Sequence, residues 1–306
     1  MGLFNAVMAL SGALDTDVSE QEKLARHTSF RIGGPAALFV TCHSYHALRH
    51  AIEQLEHESV PWVILGRGSN VLVSDDGYEG AVVTLGNEFS RTLIAEDGCT
   101  VTVGAGTVLA RLVNEAYAKG LSGLEFAVGI PGTVGGAVSM DAGTRDEWIG
   151  RLVQDVLTYK PGEGIKHYRG SDVVWGYRAT SLPHDEILLE VTLALKQAPK
   201  TEIRDRMERY LSRRRHTQPQ AVASCGSVFR NPPEGSVGKM VEDCGLKGFS
   251  VGGAQVSEVH ANVIVNTGSA SASDVLAVMQ EMYGKVREKF GVQLQPEVKF
   301  LGFSRR

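Results

Sequence analysis

A glycine-rich, uncharged segment at residues 126–140, FAVGIPGTVGGAVSM, is the feature that most constrains how this chain can fold. It contains four glycines, and Pro131 stiffens its centre. Because glycine has no Cβ and tolerates positive φ, the four glycine N–H groups can turn inward together and form a concave cradle for an anion. An isolated run of this kind is more often a tightly turned, buried hairpin in which glycine only avoids clashes. A bound phosphate or pyrophosphate is therefore a hypothesis that needs support from the rest of the chain.

A second glycine loop lies upstream, in WVILGRGSNVLVSDDG. Gly66, Gly68, Ser69 and Asn70 separate two short apolar runs, which is the pattern of a strand, a glycine loop and a strand. A Rossmann fingerprint would need a third glycine, a helix directly after the loop and an acidic residue about twenty positions later. None of these is convincing here, and Walker A spacing is absent. The two segments together indicate nucleotide phosphates held by loops between strands.

Composition narrows the class of protein. The 306 residues are 43% hydrophobic with a net charge of −4, which is normal for a folded protein of two or three domains and does not indicate a nucleic-acid or membrane partner. Four scattered cysteines without CxxC spacing suit reduced thiols in a cytosol, and no histidine pattern indicates zinc. No apolar run reaches the ~18 residues of a membrane span. We expect a cytoplasmic enzyme or binding protein without a metal, with a monomer favoured, and a short helix or strap at the apolar N-terminus.

Periodicity predicts a mixed α/β organisation for the first two thirds of the chain, followed by a smaller α+β unit. A charged helix ends the first part near Pro219, and Gly291 is expected to end a long helix in the second. The predicted helices are His43–Glu58, Thr107–Lys119, Thr201–Arg215 and one from Ser273. The predicted strands are Ala81–Leu85, Thr100–Val103, Ile187–Leu195, Ala261–Val265 and Val298–Leu301, the last of which could pack back on the first domain.

Three residues are candidates for chemistry, although each has an ordinary explanation. Arg178 follows Trp175 and Tyr177, where an arginine most often stacks on a ring at the surface. Ser227, in SCGSVFRNP, could be an ordinary turn serine. It does not lie in the GxSxG motif of an acyl hydrolase, so proton transfer fits better than nucleophilic attack. Glu297, in LQPEVKF, would ordinarily be a solvent-facing glutamate at a strand edge.

The motifs in combination are more specific than any one of them. HTSFRIGGPA, GRGSNVLVSD, GIPGTVGGAV, GYRATSL, SCGSVFRNP, GLKG and QPEV occur in this order between about His27 and Gly302. In this the chain resembles the UDP-N-acetylenolpyruvoylglucosamine reductase family, flavoenzymes of bacterial peptidoglycan synthesis. The resemblance implies an α+β protein with an FAD-binding domain of the vanillyl-alcohol-oxidase (PCMH-type) fold in two subdomains and a smaller α+β substrate-binding domain. The implied boundaries are 1–80, completed by 292–306, then 81–214 and 215–291.

Carried over position by position, the resemblance also implies the site residues. The catalytic set would be Arg178, Ser227 and Glu297, and the substrate contacts would be Tyr177, Arg215, Asn231, Lys247 and Gln255. The FAD contacts would be Arg31, Gly33, Gly66, Arg67, Gly68, Ser69, Asn70, Gly129, Ile130, Pro131, Gly132, Thr133, Gly135, Gly136 and Ala137.

The implied reaction is the NADPH-dependent reduction of UDP-N-acetylglucosamine-enolpyruvate to UDP-N-acetylmuramate, the UDP-N-acetylmuramate dehydrogenase reaction on a CH–CH bond. FAD would pass the hydride through N5 and Ser227 would supply the proton, with NADPH and the sugar nucleotide using one pocket in turn. Only a strand and a helix fit between Arg178 and Arg213, so the chain resembles the shorter variety, which lacks a substrate-covering tyrosine loop. Asp141 stands where the family commonly has Asn, and we expect its carboxylate to point away from the pyrophosphate.

Two other functions remain open at this point. A second FAD enzyme of the same fold, such as an oxidase acting on an alcohol or sugar, would share the cradle. A non-catalytic protein that binds a nucleotide sugar could also keep the cradle without turnover. The serine and glutamate segments near the C-terminus favour the reductase over both.

Overall fold

The structure is a computed structural model that describes residues 2–219 and 221–303. The chain divides into two compact units. The first comprises Met1–Ser19, Leu38–Gly66 and Gly80–Arg213. The second comprises Glu20–Ala37, Arg67–Glu79 and Arg214–Arg306. The domain boundaries expected from the sequence remain predictions.

Helices form where the sequence predicts them. Ser44 caps the helix that begins at Tyr45, and Ser271 and Asp274 form a capping box at the start of the last one. Gly291 ends that last helix with φ 69°, as predicted. No helix in the described part of the chain has the length and hydropathy needed to cross a bilayer. The helices are α1 Gly2–Leu10, α2 Tyr45–His57, α3 Leu109–Ala118, α4 Val134–Ser139, α5 Lys200–Thr217, α6 Val237–Asp243 and α7 Ala272–Phe290.

The predicted strands are also present, with ends that differ by a few residues. Short additional strands surround them. The strands are β1 Thr16–Lys23, β2 Pro35–Cys42, β3 Trp62–Ile64, β4 Val71–Val73, β5 Tyr78–Leu85, β6 Thr92–Ile94, β7 Thr100–Gly104, β8 Leu121–Ser122, β9 Val153–Lys160, β10 Gly164–Arg169, β11 Trp175–Gly176, β12 Ala179–Thr180, β13 Ile187–Ala194, β14 Lys196–Gln197, β15 Ala223–Ser227, β16 Ser250–Val251, β17 Ala254–Val256, β18 Val263–Asn266 and β19 Lys299–Leu301.

The first unit contains two cores. One packs apolar residues of α1 and α2 against a sheet of order β1-β2-β5-β3. The other packs α3, α4 and part of α5 against the antiparallel sheet β10-β9-β13-β7-β6. In α3, which the sequence predicts as a helix, the apolar residues Leu109, Leu112, Val113 and Ala116 form one buried side. This second core supports the glycine segment that precedes α4.

The second unit has one core, built on the antiparallel sheet β15-β18-β17-β16 with α6 and α7. Met279, Met282 and Val286 of α7 are buried, so these methionines are core residues. Strand β19 pairs in parallel with β4, with Lys299 opposite Val71. That pairing joins β19 to the strand that directly follows the glycine loop of residues 66–70.

Candidate active site

The glycine segment of the first unit is a turn followed by a helix rather than a hairpin. Gly129 and Gly132 have φ of 74° and 126°, in the left-handed region that favours glycine. Thr133 then caps α4, because its Oγ1 accepts the N–H of Gly136 at 3.2 Å. The sequence predicts a loop between strands at this point, and that prediction is wrong: the loop leads into a six-residue helix.

The expectation that all four glycine N–H groups point inward together is wrong for Gly135 and Gly136. Both lie in the first turn of α4, where the N–H of Gly135 donates to the carbonyl of Ala105 at 2.8 Å and that of Gly136 to the Thr133 cap. Gly135 is required for a different reason. A Cβ there would lie 2.9 Å from the Cβ of Ala105, so the glycine permits close packing of α4 on the sheet.

The two glycine segments of the first unit lie against each other. A Cβ on Gly66 would lie 2.8 Å from Oγ1 of Thr133, closer than ordinary van der Waals contact. Gly66, Gly129 and Gly136 are exposed, so backbone is accessible at the point of contact. An open backbone surface that a side chain would fill is what a nucleotide phosphate requires. The exposed backbone at Gly66, Gly129 and Gly136 therefore fits that group, and the wider set expected to bind FAD remains a prediction.

The remaining residues expected to bind FAD form a second backbone cluster, in the second unit. Gly68 has φ 56° and its carbonyl accepts the N–H of Ser29 at 3.2 Å. Gly33 has φ 133°, and a Cβ there would lie 2.6 Å from the Cβ of Val73. Arg31 is exposed and also has a positive φ of 56°. The segments HTSFRIGG and GRGSN thus pack together through positions that need glycine.

Ser227 ends strand β15 at an irregularity in the sheet. Ser224 pairs with Val265 but Ser227 pairs with Val263, so β15 carries one extra residue, and Gly226 has φ 75°. A bulge of this kind bends a strand and redirects the side chain beside it. Ser227 is therefore held by sheet geometry and is not an ordinary turn serine.

Glu297 lies next to Ser227 in the second unit. Its N–H donates to the carbonyl of Val228 at 2.8 Å, and its own carbonyl accepts the side-chain amide of Asn70 at 3.2 Å. The side chain is 7% exposed, so the ordinary expectation of a solvent-facing glutamate is wrong. The structure thereby brings the end of β15, Glu297 and Asn70 of the glycine loop at residues 66–70 into one neighbourhood.

Cys225, two residues before Ser227, is buried. Burial raises the pKa of its thiol to about 12, and the nearby Glu297 carboxylate acts in the same direction. A thiol with so high a pKa is protonated at neutral pH, so Cys225 is not a nucleophile. It serves as an apolar side chain in the core of the second unit.

Arg178 occupies the second position of a two-residue turn between β11 and β12. Its φ is 57°, a left-handed conformation that costs a non-glycine residue about 1–2 kcal/mol. The guanidinium carbon lies 5.3 Å from the centroid of the Tyr177 ring, so the stacking explanation is correct for this pair. Strained backbone at a charged residue motivates a functional hypothesis for Arg178.

Asp141 follows α4 and is almost fully buried, at 6% exposure. Its Oδ1 accepts the N–H of Gly150 at 3.0 Å. Burial raises the pKa of this carboxyl, although the Gly150 bond and the charge of Arg178 oppose the rise. The carboxyl group is therefore directed to Gly150 and lies within the electrostatic reach of Arg178.

Three of the expected substrate contacts lie in the second unit and bond to their own surroundings. Asn231 Oδ1 accepts the N–H of Val237 at 2.9 Å, and Gln255 Nε2 donates to the carbonyl of Gly248 at 3.1 Å. The Lys247 ammonium pairs with a Glu242 carboxylate oxygen at 3.0 Å. The other two, Tyr177 of the first unit and Arg215 of the second, are exposed.

Sequence reasoning missed Asn262, a buried residue that holds the segment directly after Ser227. Its side chain accepts the N–H of Phe229 at 3.1 Å and donates to the carbonyl of Phe229 at 2.8 Å. The signal was available in the string VHANVIVN, where an amide interrupts an apolar strand. A polar residue in such a position is normally fully hydrogen-bonded.

Comparison with known proteins shows which protein family this chain belongs to. The C-terminal domain of UDP-N-acetylenolpyruvoylglucosamine reductase matches residues 218–301, and an FAD binding domain matches residues 36–160. UDP-N-acetylenolpyruvoylglucosamine reductase 2 of Symbiobacterium thermophilum is 43% identical over 93% of this chain and 92% of its own length. The chain belongs to the UDP-N-acetylenolpyruvoylglucosamine reductase family. The reductase of Heliobacterium modesticaldum is 40% identical over 93% of this chain and 91% of its own.

A solved member of the family has the same fold. The crystal structure of the reductase from Thermus caldophilus superimposes with a TM-score of 0.83 at 37% identity, covering 94% of this chain and 99% of that one. The resemblance noted from the motifs and the expected fold class are both confirmed by these relatives. As a member of this family the chain is an FAD-dependent oxidoreductase.

Proposed function

We propose that this protein reduces the enolpyruvyl ether of UDP-N-acetylglucosamine-enolpyruvate to UDP-N-acetylmuramate, with NADPH as the reductant, in the synthesis of peptidoglycan precursors. The relatives' names support the substrate and the reaction class. The observation that carries the proposal is the neighbourhood in which Ser227, Glu297 and Asn70 meet. It joins a proton donor and a carboxyl group to a loop expected to bind FAD.

When bound and reduced by NADPH, FAD would supply the hydride that this reduction needs. In the first unit Gly66 and residues 129–137 would hold it, and in the second Arg31, Gly33 and residues 67–70. Two observations on the glycines support this assignment. Gly33 and Gly66 leave no room for a Cβ, and Gly33, Gly68, Gly129 and Gly132 have positive φ. Arg31 and Arg67 are exposed cations suited to phosphate oxygens.

Arg178 is proposed to stabilise the negative charge that develops on the substrate. Reduction adds electrons to a carbon beside a carboxylate, so a preorganised cation is worth several kcal/mol in a site with little water. The turn that holds Arg178 at φ 57° and the Tyr177 ring restrict the guanidinium before substrate binds. Restriction of this kind lowers the reorganisation needed at the moment of reaction.

Ser227 is proposed to donate the proton to the carbon that bears the carboxylate. An alcohol is a weak acid, but an enolate-like carbon is a strong base, so this transfer runs downhill. Glu297 is proposed to hydrogen-bond the carboxylate or the enolate oxygen. Its burial beside Val228 supports a fixed position for the carboxyl group.

The substrate diphosphate is assigned to the polar residues Asn231, Lys247 and Gln255, with Tyr177 and Arg215 as further contacts. Lys247 and Arg215 suit a diphosphate because charge-assisted hydrogen bonds are strong. We further propose a cytoplasmic location and, through the peptidoglycan precursor, roles in cell shape and cell division. Four unpaired cysteines support a reducing compartment. A monomer is proposed as the working assembly.

The test is Ser227→Ala, compared with Ser224→Ala on the same strand as the matched control. Stopped-flow absorbance separates the reduction of the flavin by NADPH from its reoxidation by the enolpyruvyl nucleotide. We expect Ser227→Ala to leave flavin reduction nearly unchanged and to slow reoxidation by a factor of about 10² or more, the usual contribution of general acid catalysis. Equal loss in both half-reactions, or an equal effect of Ser224→Ala, contradicts the assignment.

The same measurements separate the two other functions. An oxidase of this fold would consume oxygen with an alcohol or sugar and would not reoxidise with the enolpyruvyl nucleotide. A protein that only binds a nucleotide sugar would show affinity for the nucleotide without release of NADP⁺.

A further inference from the structure

His260 of the second unit packs on α6, which begins at a residue bonded to one of the expected substrate contacts. A Cβ on Gly238 would lie 3.1 Å from Cε1 of the His260 ring, and the neighbouring Val237 is the residue that bonds Asn231. This places the imidazole against the start of α6, one residue from the backbone N–H that Asn231 accepts. No step of the proposed mechanism uses this ring.

The turn that carries His260 also packs on the second pair of substrate contacts. Glu258, two residues before His260, lies against Gly248. Gly248 follows Lys247 in the chain, and its carbonyl accepts the side-chain amide of Gln255 at 3.1 Å. The turn that contains Glu258 and His260 therefore packs on two glycines. Gly238 follows Val237, which bonds Asn231, and Gly248 follows Lys247 and bonds Gln255.

Hydrogen bonding fixes the tautomer of the His260 ring. Nδ1 accepts the backbone N–H of Asn262 at 3.2 Å, so Nδ1 carries no proton and the neutral ring has its proton on Nε2. Burial lowers the pKa of His260, a hydrogen bond to its own backbone opposes this, and the charge of the Lys247 ammonium acts with burial; the net direction is downward. The ring is therefore neutral at physiological pH, with an N–H donor at Nε2.

That donor has no hydrogen-bond acceptor among the residues that the structure describes, which are 2–219 and 221–303. The ring is partly buried, so the donor is held in one direction by packing and by the Asn262 bond. A fixed, neutral donor beside an ammonium group complements a polyanion, because it adds a hydrogen bond without a second buried charge.

We propose that His260 is a further substrate-binding residue, whose Nε2–H donates a hydrogen bond to a phosphate oxygen of the nucleoside diphosphate held by Lys247. The proposal rests on the proposed function, since it names a contact to the same substrate. It assigns His260 a role in binding the nucleotide and none in hydride or proton transfer.

The experiment compares His260→Asn with His260→Gln. The asparagine side chain ends near the position of Nδ1 and can accept the Asn262 N–H, but it offers no donor at Nε2. The longer glutamine side chain can bring an amide N–H to the Nε2 position. We expect His260→Asn to raise the KM for the enolpyruvyl nucleotide, and the Kd for UDP measured by calorimetry, by about tenfold, the value of one hydrogen bond to a charged group.

Two readouts separate binding from a structural role. The limiting rate of flavin reduction at saturating NADPH and the melting temperature should be unchanged in His260→Asn, and His260→Gln should recover most of the UDP affinity. An unchanged Kd for UDP in His260→Asn overturns the proposal. So does an equal loss in both variants, because that result indicates ring packing. Failure of the proposed function is a different result, in which the unmodified protein does not convert the enolpyruvyl nucleotide.

Discussion

The substitution Gly66→Ala tests whether the two glycine segments of the first unit form a cofactor cradle. The new Cβ would lie 2.8 Å from Oγ1 and 3.4 Å from Cγ2 of Thr133, whereas ordinary contact begins at 3.4 Å. Thr133 cannot rotate away freely, because its Oγ1 is the N-cap of α4 and the residue is 9% exposed. Relief of the clash must therefore break the cap or displace the loop.

The expected magnitude follows from the cap. Loss of a threonine N-cap costs about 1 kcal/mol, and displacement of the loop adds a similar amount. If both segments contact FAD, this destabilisation weakens FAD binding by about 5- to 30-fold, which corresponds to 1–2 kcal/mol. The assay is titration of the apoprotein with FAD, followed by flavin fluorescence.

Gly284→Ala is the control, because it adds the same methyl group in α7, where a Cβ would meet nothing within 4 Å and no FAD contact is proposed. We expect its FAD affinity to stay within about twofold of the original. In a Thr133→Ala background the clash partner is absent, so Gly66→Ala should cost little more. The reasoning is refuted if Gly66→Ala binds FAD normally, or if it costs the same with and without the Thr133 side chain.

Three further substitutions have expected outcomes in unfolding experiments. Asp141→Asn keeps the acceptor for the Gly150 N–H and removes a carboxyl whose pKa burial raises, so it should stabilise the protein at neutral pH. This gain in stability should shrink as the pH falls to the ordinary carboxyl pKa of 3.8, because a protonated Asp141 no longer pays the cost of burying a charge. A gain that does not depend on pH would show that the buried charge is not its cause. Asp75→Ala should destabilise by about 1–3 kcal/mol in urea denaturation, because Asp75 accepts the N–H groups of Ala272 and Ser273 at the start of α7, at 2.7 and 3.0 Å; no change would refute the cap. Gly284→Ala should raise stability by about 1 kcal/mol, since Gly284 lies inside α7 with open space around it, and a loss would show an unrecognised contact.

The sequence predicted the helices and strands well because their signals are local. Apolar periodicity marked α3 and α7, and Gly291 marked the end of α7. The glycine segment was predicted less well. Whether Gly135 frees its N–H depends on Ala105, which lies thirty positions earlier in the chain, and no local pattern reports that contact.

The candidate site shows the same limit. Ser227 and Glu297 could be selected from their motifs, but the bulge that orients the serine requires the pairing of β15 with β18. The position of Glu297 depends on a backbone hydrogen bond to Val228, which lies about seventy positions earlier in the chain, so no local pattern reports it. His260 carried no signal of its own, because its relation to Asn231 and Lys247 arises from turns that meet only after folding.

A single-turnover experiment tests the central claim most directly. The purified protein with one bound FAD is reduced with one equivalent of NADPH under anaerobic conditions and then mixed with UDP-N-acetylglucosamine-enolpyruvate. We predict that the flavin absorbance returns completely and that one equivalent of UDP-N-acetylmuramate forms for each flavin. A flavin that stays reduced until oxygen is admitted would contradict the account.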